Sequence, residues 1–507
     1  MVPIAIGITL FFVSYRISTL FYTMEESQSL DAAINAFIGP VADFITSIIF
    51  YSIRVAGVNV PFIILWIIAA GLFFFFYLKA INISRFGLAI NIVRGKYDDP
   101  NSKGEVNHFQ ALATALSGTV GLGNISGVAV AISMGGPGAT FWMIVAGFFG
   151  MMTKFAECTL GVKYRQVSVD GVVSGGPMYF LRDGLKAKGF PMFGKVLAAL
   201  FAVMCIGGAL VGGNMFQSNQ VTAQLVAETG GSASWFSNNL WLPGLILSLL
   251  VASVIIGGIK SIANVTEKVV PFMCVLYVVT CLYIIFAAYD KIPETFLLIL
   301  DGAFNGKAIY GGVLGVLIVG FSRASFSNEA GVGSASIAHA AVKTNEPVTE
   351  GLVSLLEPFI DTIVICTMTA LVIVISGAYL EAGKDGIVLT SHAFTSTVNW
   401  FRHILSISVF LFAFATMISW SYYGLKSWTY LFGVSTFSEI IYKIIFCIFT
   451  VIGSSMSLSK VVEFSDAMIF SMSIFNIIGL YMLAGELKQD MNQFLYKIDH
   501  GIIKKNQ

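Results

Sequence analysis

The sequence predicts an all-α polytopic membrane protein, because it carries little charge and its apolar segments are long. Of its 507 residues, 56% are hydrophobic and 11% are charged, whereas a soluble domain carries about 25% charged residues. The apolar segments reach about 20 residues, the length that a helix needs to cross the hydrocarbon core. Backbone polar groups must be satisfied within that core, so only helices or a closed barrel can span it. Apolar blocks without strict alternation favour helices.

Eleven segments are predicted to cross the membrane as helices. They lie near residues 60–81, 109–134, 138–160, 194–216, 241–259, 268–288, 309–341, 352–378, 403–424, 435–453 and 463–484. A further apolar stretch, 2–22, contains Arg16 and lacks the basic region of a good signal peptide, so it is either an extra helix or a signal-like segment. The predicted organisation is an N-terminal hydrophobic segment 1–34, a membrane domain 35–485 and a polar tail 486–507.

Lys and Arg are distributed unevenly between the two sides of the predicted spans. If the loop 82–108 is cytoplasmic, most Lys and Arg residues outside the spans lie on its side, as the positive-inside rule requires. This orientation predicts a multi-pass protein of the cell's inner (plasma) membrane, in contact with lipid, whose C-terminal tail is cytoplasmic. The net charge of +1 gives no indication of a nucleic-acid partner. The six cysteines show neither metal-site nor disulfide spacing.

Two of the predicted spans are rich in glycine and carry polar residues at their centres. The first, 114–138, reads TALSGTVGLGNISGVAVAISMGGPG, and the second, 311–340, reads GGVLGVLIVGFSRASFSNEAGVGSASIAHA. Glycine in a helix interior costs about 1 kcal/mol relative to alanine, although small residues also permit close helix packing in membranes. Asn124, Asn328 and Glu329 are expensive in hydrocarbon unless they line a cavity. We therefore predict that both helices are broken beside a cavity.

The two glycine-rich spans occupy corresponding positions in the chain. The first begins a run of five predicted spans over 109–288, and the second begins another run of five over 309–484. Because each run holds an odd number of spans, the second enters the membrane from the opposite side, which makes the pair an inverted repeat. Paired interrupted helices of this kind point to the binding site of a transporter. The N-termini of half-helices can bind an anionic group, and unwound carbonyls can bind a cation.

Five motifs, in order along the chain, resemble the alanine or glycine:cation symporter family. They are GLGNISGVAVAISMGGPGATFW (121–142), GGPMYFL (175–181), GGNMFQSNQV (212–221), FSNEAGVGSASIAHAA (326–341) and SWSYYG (419–424). The resemblance covers about residues 35–485 and identifies this region as a transporter domain. It implies a LeuT-like fold and sodium-coupled symport of a small neutral amino acid, alanine or glycine, into the cell. Sodium would be the coupling ion, and no other cofactor is implied.

The resemblance also implies roles for residues of the first glycine-rich span. The stretch 120–124 resembles the unwound segment of the first core helix in LeuT-like transporters. Thr119, Gly121 and Gly123 would bind the substrate carboxylate, the glycines through backbone N–H groups and the threonine through its hydroxyl. Asn124 would bind a sodium ion through its amide oxygen.

A second sodium site is implied between the first span and the segment FAFATMISW, 412–420. The backbone carbonyls of Ser117 and Val120 and the hydroxyl of Thr416 would bind this ion. A Ser–Thr pair is typical of the family at this point, whereas this chain has Ala415 before Thr416. One expected hydroxyl ligand is therefore missing.

Four further residues are expected to contact the substrate, again through the resemblance. Gln217 would contact the polar groups of the amino acid, and Asn214 is a weaker candidate one turn earlier. Phe326 and Trp420 would enclose a small apolar pocket that admits a methyl group. Larger side chains would be excluded by steric overlap, because a methylene alone is discriminated by only about 1–3 kcal/mol.

The charged residues within the spans can be explained by structural roles as well as by a role in transport. Arg323 is expected to pair with Glu329 or with Asp361. An ion pair on a helix surface accounts for Lys154 and Glu157, whereas Asp361 is either functional or the partner of a neighbouring group. His339 is expected to lie at a turn, and Asp466 is expected to lie at a hydrated helix end.

Other classes of function fit the sequence less well. Channel filters are built from identical loops of several subunits, and the sequence lacks the HExxH, GxSxG and paired-aspartate patterns of an enzyme. Two alternatives to sodium symport stay open, namely a proton-coupled transporter of small amino acids and a sensor that binds an amino acid without transporting it. The oligomeric state is not indicated by the sequence.

Overall fold

The fold is that of a computed structural model, which describes residues 40, 43–55, 57–99, 102–305, 311–381 and 386–505. The predicted segment 1–34, including the stretch 2–22, lies outside these residues. The described chain is mostly helical, as expected from long apolar blocks that lack strict alternation.

The helices follow one another with short connections. They are α1 (Phe62–Tyr77), α2 (Ile81–Ser84), α3 (Phe86–Val93), α4 (His108–Thr119), α5 (Gly123–Gly135), α6 (Ala139–Lys163), α7 (Pro191–Glu228), α8 (Trp241–Ile255), α9 (Gly258–Ala287), α10 (Ile292–Phe304), α11 (Gly312–Asn328), α12 (Ala335–His339), α13 (Pro347–Ser376), α14 (Gly386–Thr395), α15 (Phe401–Phe432), α16 (Thr436–Ser454) and α17 (Leu458–Asp499). Short helical turns lie at 177–187, Gly231–Ala233, Trp235–Asn238, Tyr289–Lys291 and Ala378–Leu380. α17 continues without a break past residue 485, so the predicted tail begins inside a helix.

Two short hairpins lie between the helices. β1 (Ser52–Val55) pairs antiparallel with β2 (Val58–Pro61), immediately before α1. β3 (Gln166–Val167) pairs antiparallel with β4 (Val173–Ser174), in the connection after α6. A single parallel bridge joins Val106 to Val342 and thereby connects the chain before α4 to the chain after α12.

The described helices match the predicted membrane spans. Seven of them, α6, α7, α9, α13, α15, α16 and α17, are long and apolar enough to cross a membrane, and α4 with α5 qualifies as one bent span. Three shorter apolar helices, α1, α8 and α11, coincide with further predicted spans. The described chain is therefore a polytopic helical membrane protein, while the total of eleven spans stays a prediction.

The first glycine-rich span is broken, as predicted. α4 ends at Thr119, and α5 begins at Gly123 with a bend of 51° between the two helices. Val120, the residue after α4, has φ −76° and ψ 82°, which turns its carbonyl out of the helical direction. α5 opens with a wide π-helical turn over Gly123–Gly127, a feature that is frequent at functional sites.

The second glycine-rich span is broken after Asn328. Glu329, Gly331 and Gly333 have φ angles of 56°, 89° and 90°, in the left-handed region that glycine adopts readily. The chain becomes helical again in α12. Gly320 does not contribute to this break, because it lies within α11 and packs directly against Trp142. Each predicted half therefore has a broken first helix.

Two helices organise the packing around the broken spans. α6 packs against α11, α12 and α13, and α15 packs against α4, α7 and α9. Glycines at several contacts bring the backbones close together, as is common in membrane helices. At Gly351 of α13, for example, a Cβ atom would overlap Thr159 of α6 and lie 2.9 Å from the carbonyl oxygen of Phe155.

We predict that Gly351→Ala destabilises the protein, because the added methyl group has no space between α13 and α6. Overpacking of this kind costs about 1–3 kcal/mol, so the thermal unfolding midpoint of the detergent-solubilised protein is expected to fall. Gly485→Ala in α17 is the control, since a Cβ atom there meets nothing within 4 Å. Equal midpoints for the two variants would contradict the close contact.

Candidate functional site

A small cavity lies between the two helix breaks. Its volume is about 10 Å³, about the space that one water molecule needs. Its walls come from both broken helices and from α7, α15 and α17. The lining residues are Gly118, Thr119, Gly121, Gly123, Gly212, Gln217, Phe326, Ser327, Glu329, Thr416, Trp420 and Ile469.

Most of the residues predicted for the site meet at this cavity. Its lining includes seven of them, Thr119, Gly121, Gly123, Gln217, Phe326, Thr416 and Trp420. Ser117, Val120 and Asn124 flank the first break and are completely buried. The motif resemblance thus selected residues that the fold brings together from distant parts of the chain.

Asn214 is the exception among the predicted residues. Its amide nitrogen donates to the carbonyl oxygen of Phe446 at 2.7 Å, and its amide oxygen accepts from Thr450 Oγ1 at 2.8 Å. Both partners belong to α16, and Asn214 does not line the cavity. The Asn214 side chain therefore joins α7 to α16 and does not point into the cavity as predicted.

Gln217 of α7 forms a hydrogen bond with the backbone at the first break. Its Oε1 accepts the backbone N–H of Leu122 at 3.1 Å, and its Nε2 donates to the carbonyl oxygen of Gly212 at 3.1 Å. The N–H of Leu122 has no helical partner at the break and needs an acceptor when buried. Gln217 thus stabilises the unwound backbone at the same point where it lines the cavity.

Asn124 of α5 also satisfies a backbone N–H group at the first break. Its Oδ1 accepts the N–H of Gly121 at 2.9 Å, and its Nδ2 donates to Asp361 Oδ1 at 2.6 Å. The N–H of Gly121 would bond to the carbonyl of Ser117 in a continuous helix, so this arrangement releases that carbonyl from its helical partner. An amide oxygen accepts two hydrogen bonds, which leaves Asn124 Oδ1 with one further lone pair.

Asp361 is a buried carboxylate that contacts both breaks. Besides Asn124, it accepts from Ser327 Oγ at 3.0 Å and from Thr362 Oγ1 at 2.7 Å. No Lys, Arg or His in the described part of the chain forms an ion pair with it. An isolated carboxylate is expensive in a low-dielectric interior, so this position suits a cation. The sequence indicated it only as a carboxylate within a span.

Thr416 has a buried hydroxyl without a hydrogen-bond partner in the described structure. It faces the first break, where a Cβ atom on Gly121 would overlap its Oγ1. Ser117 Oγ, which lies nearby, donates to the carbonyl oxygen of Ala415 at 2.5 Å. A free hydroxyl beside released backbone carbonyls is a set of oxygen ligands that fits a hard cation.

Aromatic side chains close the apolar end of the cavity. Phe326 packs edge-on against Phe216, with the ring centres 5.5 Å apart. The indole N–H of Trp420 donates to Glu329 Oε1 at 2.9 Å. Ile469 of α17 completes this end. The resemblance identified the two aromatic walls, and Glu329 lines the cavity as expected for a polar residue within a span, but its hydrogen bond to Trp420 was not indicated by the sequence.

Arg323 of α11 pairs with Asp466 of α17. The expected pairing of Arg323 with Glu329 or Asp361 is therefore wrong, as is the hydrated position expected for Asp466, since both members of the pair are largely buried. The guanidinium also lies 5.5 Å from the ring centre of Phe326. The correct partner was not predictable because α17 is distant in sequence and approaches α11 only in the folded chain.

Lys154 and Glu157 are also buried and do not form the surface ion pair that their spacing predicts. Lys154 Nζ pairs with Glu357 Oε2 at 3.3 Å, and Glu157 accepts from the side chain of Asn476 at 2.8 Å. α6 is enclosed by α11, α12 and α13, so these two side chains point to different helices.

His339 lies in the same region, at the end of α12 where the chain turns as expected, and it is completely buried. Its Nδ1 faces Glu350, which also faces His108, and its Nε2 lies 2.6 Å from Glu357. Cys158, His339 and Glu357 are close enough together to hold a metal ion. Because both imidazole nitrogens are already occupied by carboxylates and Lys154 lies beside them, the cluster is an ion-pair network that connects α4, α6, α12 and α13.

Two broken helices, a small cavity lined by both of them and a buried carboxylate that has no cationic partner among the described residues define a secondary membrane transporter. The chain belongs to the sodium:alanine symporter family, whose model matches residues 42–507. It is 40% identical to the sodium/alanine symporter AgcS of Methanococcus maripaludis over 438 residues, 86% of this chain and 94% of that protein. It is 34% identical to the probable sodium/glutamine symporter GlnT of Bacillus subtilis over 424 residues, 83% and 85% of the two chains. The protein is therefore a cation-coupled amino-acid symporter and not an enzyme.

The fold agrees with this assignment. The crystal structure of MhsT in complex with L-phenylalanine superposes with a TM-score of 0.55, covering 76% of this chain and 90% of that one at 15% sequence identity. This similarity confirms the predicted LeuT-like fold with its inverted repeat.

We predict that Gly121→Ala abolishes transport, because its Cβ atom would overlap Thr416 Oγ1 and close the space between the break and α15. The uptake of labelled small amino acids into proteoliposomes is expected to fall by at least about tenfold, equivalent to about 1.4 kcal/mol. Gly127→Ala is the control in the same broken span, since a Cβ atom there meets nothing within 4 Å. Similar uptake by both variants would show that the contact does not constrain the site.

Proposed function

We propose that the protein couples the uptake of a small neutral amino acid, alanine or glycine, to the entry of sodium. The observation that carries this proposal is the cavity of about 10 Å³, which Phe326 and Trp420 enclose beside two sets of oxygen atoms suited to cations. Because this space holds about one water molecule, the walls of the cavity must move apart to admit even the smallest amino acids. The name of the relative AgcS, a sodium/alanine symporter, supports the same substrate and ion.

The substrate carboxylate binds at the first break in this proposal. α5 presents its N-terminus to the cavity at Gly123, and the positive dipole end of a helix favours an anion. The hydroxyl of Thr119 makes only long contacts of 3.3 and 3.4 Å to carbonyls of its own helix, so it can turn to donate to the carboxylate. Gly121 leaves space for the approach of the substrate, and Gln217 contacts its polar groups.

One sodium ion binds beside Asn124 and Asp361 in this proposal. The free lone pair of the Asn124 amide oxygen and the Asp361 carboxylate provide oxygen ligands next to the carboxylate site. The positive ion neutralises the buried Asp361 and attracts the substrate carboxylate. Coupling is reciprocal, so the amino acid strengthens sodium binding by the same factor by which sodium strengthens amino-acid binding.

A second sodium ion binds to the carbonyls of Ser117 and Val120 and to the hydroxyl of Thr416. The released helical carbonyl at Ser117 and the non-helical ψ of Val120 support this assignment, as does the hydroxyl of Thr416 that lacks a partner. The site joins α4 to α15. Sodium bound here would hold the first broken helix against the helices that surround it.

We further propose that the C-terminal tail faces the cytoplasm of the inner (plasma) membrane, with repeat one at 109–288 and repeat two at 309–484. The segment 1–34 then precedes a transporter domain 35–485. Exposed apolar side chains on α9, such as Phe272, Val275 and Tyr283, contact lipid in this arrangement. The membrane potential contributes about 2.3 kcal/mol per positive charge at 100 mV, which favours inward transport.

A proton is the alternative coupling ion, because the buried carboxylate of Asp361 would suit a proton as well as sodium. The first experiment is therefore the uptake of labelled alanine into proteoliposomes under a sodium gradient, under a pH gradient and without either. Accumulation only with sodium supports the proposal. Accumulation driven by the pH gradient alone overturns sodium coupling, and alanine binding without any uptake indicates a sensor.

We predict that Asn124→Ala removes sodium-driven alanine uptake, because it removes one sodium ligand and frees Asp361 from its main amide donor. Asn82→Ala is the control, since Asn82 is another buried asparagine, bonded to the Phe148 carbonyl and remote from the cavity. Sodium-dependent accumulation is measured for both variants in the same vesicles. Unchanged accumulation in Asn124→Ala would exclude Asn124 as a ligand.

We also predict that Thr416→Val raises the sodium concentration for half-maximal uptake by about tenfold, equivalent to about 1.4 kcal/mol. Valine keeps the shape of threonine but removes the hydroxyl oxygen, whereas Thr416→Ser keeps that oxygen and should retain near-normal sodium dependence. Thr140→Val is a matched control, because the Thr140 hydroxyl is also buried without a hydrogen-bond partner among the described residues and lies outside the cavity. The half-maximal concentration is obtained from initial uptake rates.

A further inference from the structure

The indole of Trp420 lies against two glycines of α7. A Cβ atom on Gly213 would overlap the indole ring, and one on Gly208 would lie 3.4 Å from its Cζ3 atom. Tyr423 contacts another side of the ring, with the ring centres 5.4 Å apart. These contacts define a flat slot into which the indole fits, and the slot places the ring at the apolar end of the cavity.

Glu329 is the group that fixes the indole in this slot. The Trp420 N–H is buried and requires an acceptor, and Glu329 Oε1 provides one at 2.9 Å. The other carboxylate oxygen accepts the hydroxyl of Ser334. Both oxygens of the carboxyl group are therefore held by neighbouring side chains.

The backbone of Glu329 indicates that this placement is specific. Glu329 has a φ angle of 56° and follows directly after α11. Such a conformation is uncommon for a residue with a side chain and persists only where the surroundings hold it. The conformation directs the carboxylate to Ser334, where the chain turns into α12, and to Trp420 of α15. One side chain thus links the second break to the wall of the cavity.

We propose that Glu329 is a specificity-determining positioning residue. By accepting the Trp420 N–H, it holds the indole across the apolar end of the cavity and restricts transport to amino acids whose side chain is no larger than about a methyl group. This inference rests on the proposed uptake of a small neutral amino acid and names the residue that sets the size limit. Without the hydrogen bond, the indole can rotate out of its slot and open space toward Ile469.

The test compares two replacements of similar length in the full-length protein. Glu329→Met removes the acceptor, whereas Glu329→Gln keeps an amide oxygen that can accept the indole N–H. The KM of labelled alanine and the inhibition constant of unlabelled leucine are measured in proteoliposomes. We expect the ratio of leucine constant to alanine constant to fall at least about tenfold in Glu329→Met and less than about threefold in Glu329→Gln, because tenfold corresponds to about 1.4 kcal/mol.

Trp420→Phe provides an independent variant, since it removes the donor and leaves Glu329 in place. It is expected to relax the size limit like Glu329→Met, and adding Glu329→Met to it should produce little further change, because the two residues act through one bond. Glu157→Gln is the control for a buried carboxylate outside the cavity, whose partner is Asn476. It should leave the ratio unchanged.

The inference is overturned if Glu329→Met keeps the wild-type ratio, or if Glu329→Gln and Glu329→Met shift it equally. Should Glu329→Met not fold, a wild-type ratio in Trp420→Phe overturns the inference instead. Failure of the proposed function is distinct, because the wild-type protein itself would then accumulate no labelled alanine under any ion gradient.

Discussion

This structure depends on hydrogen-bond partners for the backbone N–H and C=O groups that lose their helical bonds at the two helix breaks. Within a membrane, unwound backbone is tolerated only where protein side chains or a cavity replace the missing helical bonds. Asn124 and Gln217 supply those partners at the first break, and the side chain of Glu329 bridges the second. Each of these residues also lies at or beside the cavity. The groups that permit the breaks are therefore the same groups that shape the binding site.

Close packing of the helices provides the second constraint. Glycines at Gly351, Gly320 and Gly213 bring α13, α11 and α7 against their neighbours, and only glycine fits at these contacts. At Gly213 the same lack of a side chain accommodates an indole, so packing determines the volume available to substrate. The cavity is small because an aromatic ring occupies its apolar end, and the ring is fixed by contacts on several sides.

The partners of the buried charged side chains could not be predicted from the spacing of residues along one helix. Lys154 and Glu157 are three residues apart, which favours a pair on a helix surface, yet each has its partner on another helix. Arg323 pairs with Asp466 across more than a hundred residues, and His339 lies between two carboxylates of α13. Such pairs depend on which helices are neighbours, and that arrangement is not contained in local periodicity.

The sequence by itself determined the membrane class, the positions of the membrane helices and the two breaks, since apolar length and glycine content act locally. Motif resemblance added the residues around the cavity, among them Thr416 and Trp420, which lie almost three hundred residues beyond Gly121. Only the tertiary structure decided that Asn214 faces α16, that Asp361 contacts both breaks and that Glu329 holds the indole. The direction of a side chain on a buried helix depends on the neighbour against which each face packs, and that neighbour is fixed when all helices assemble.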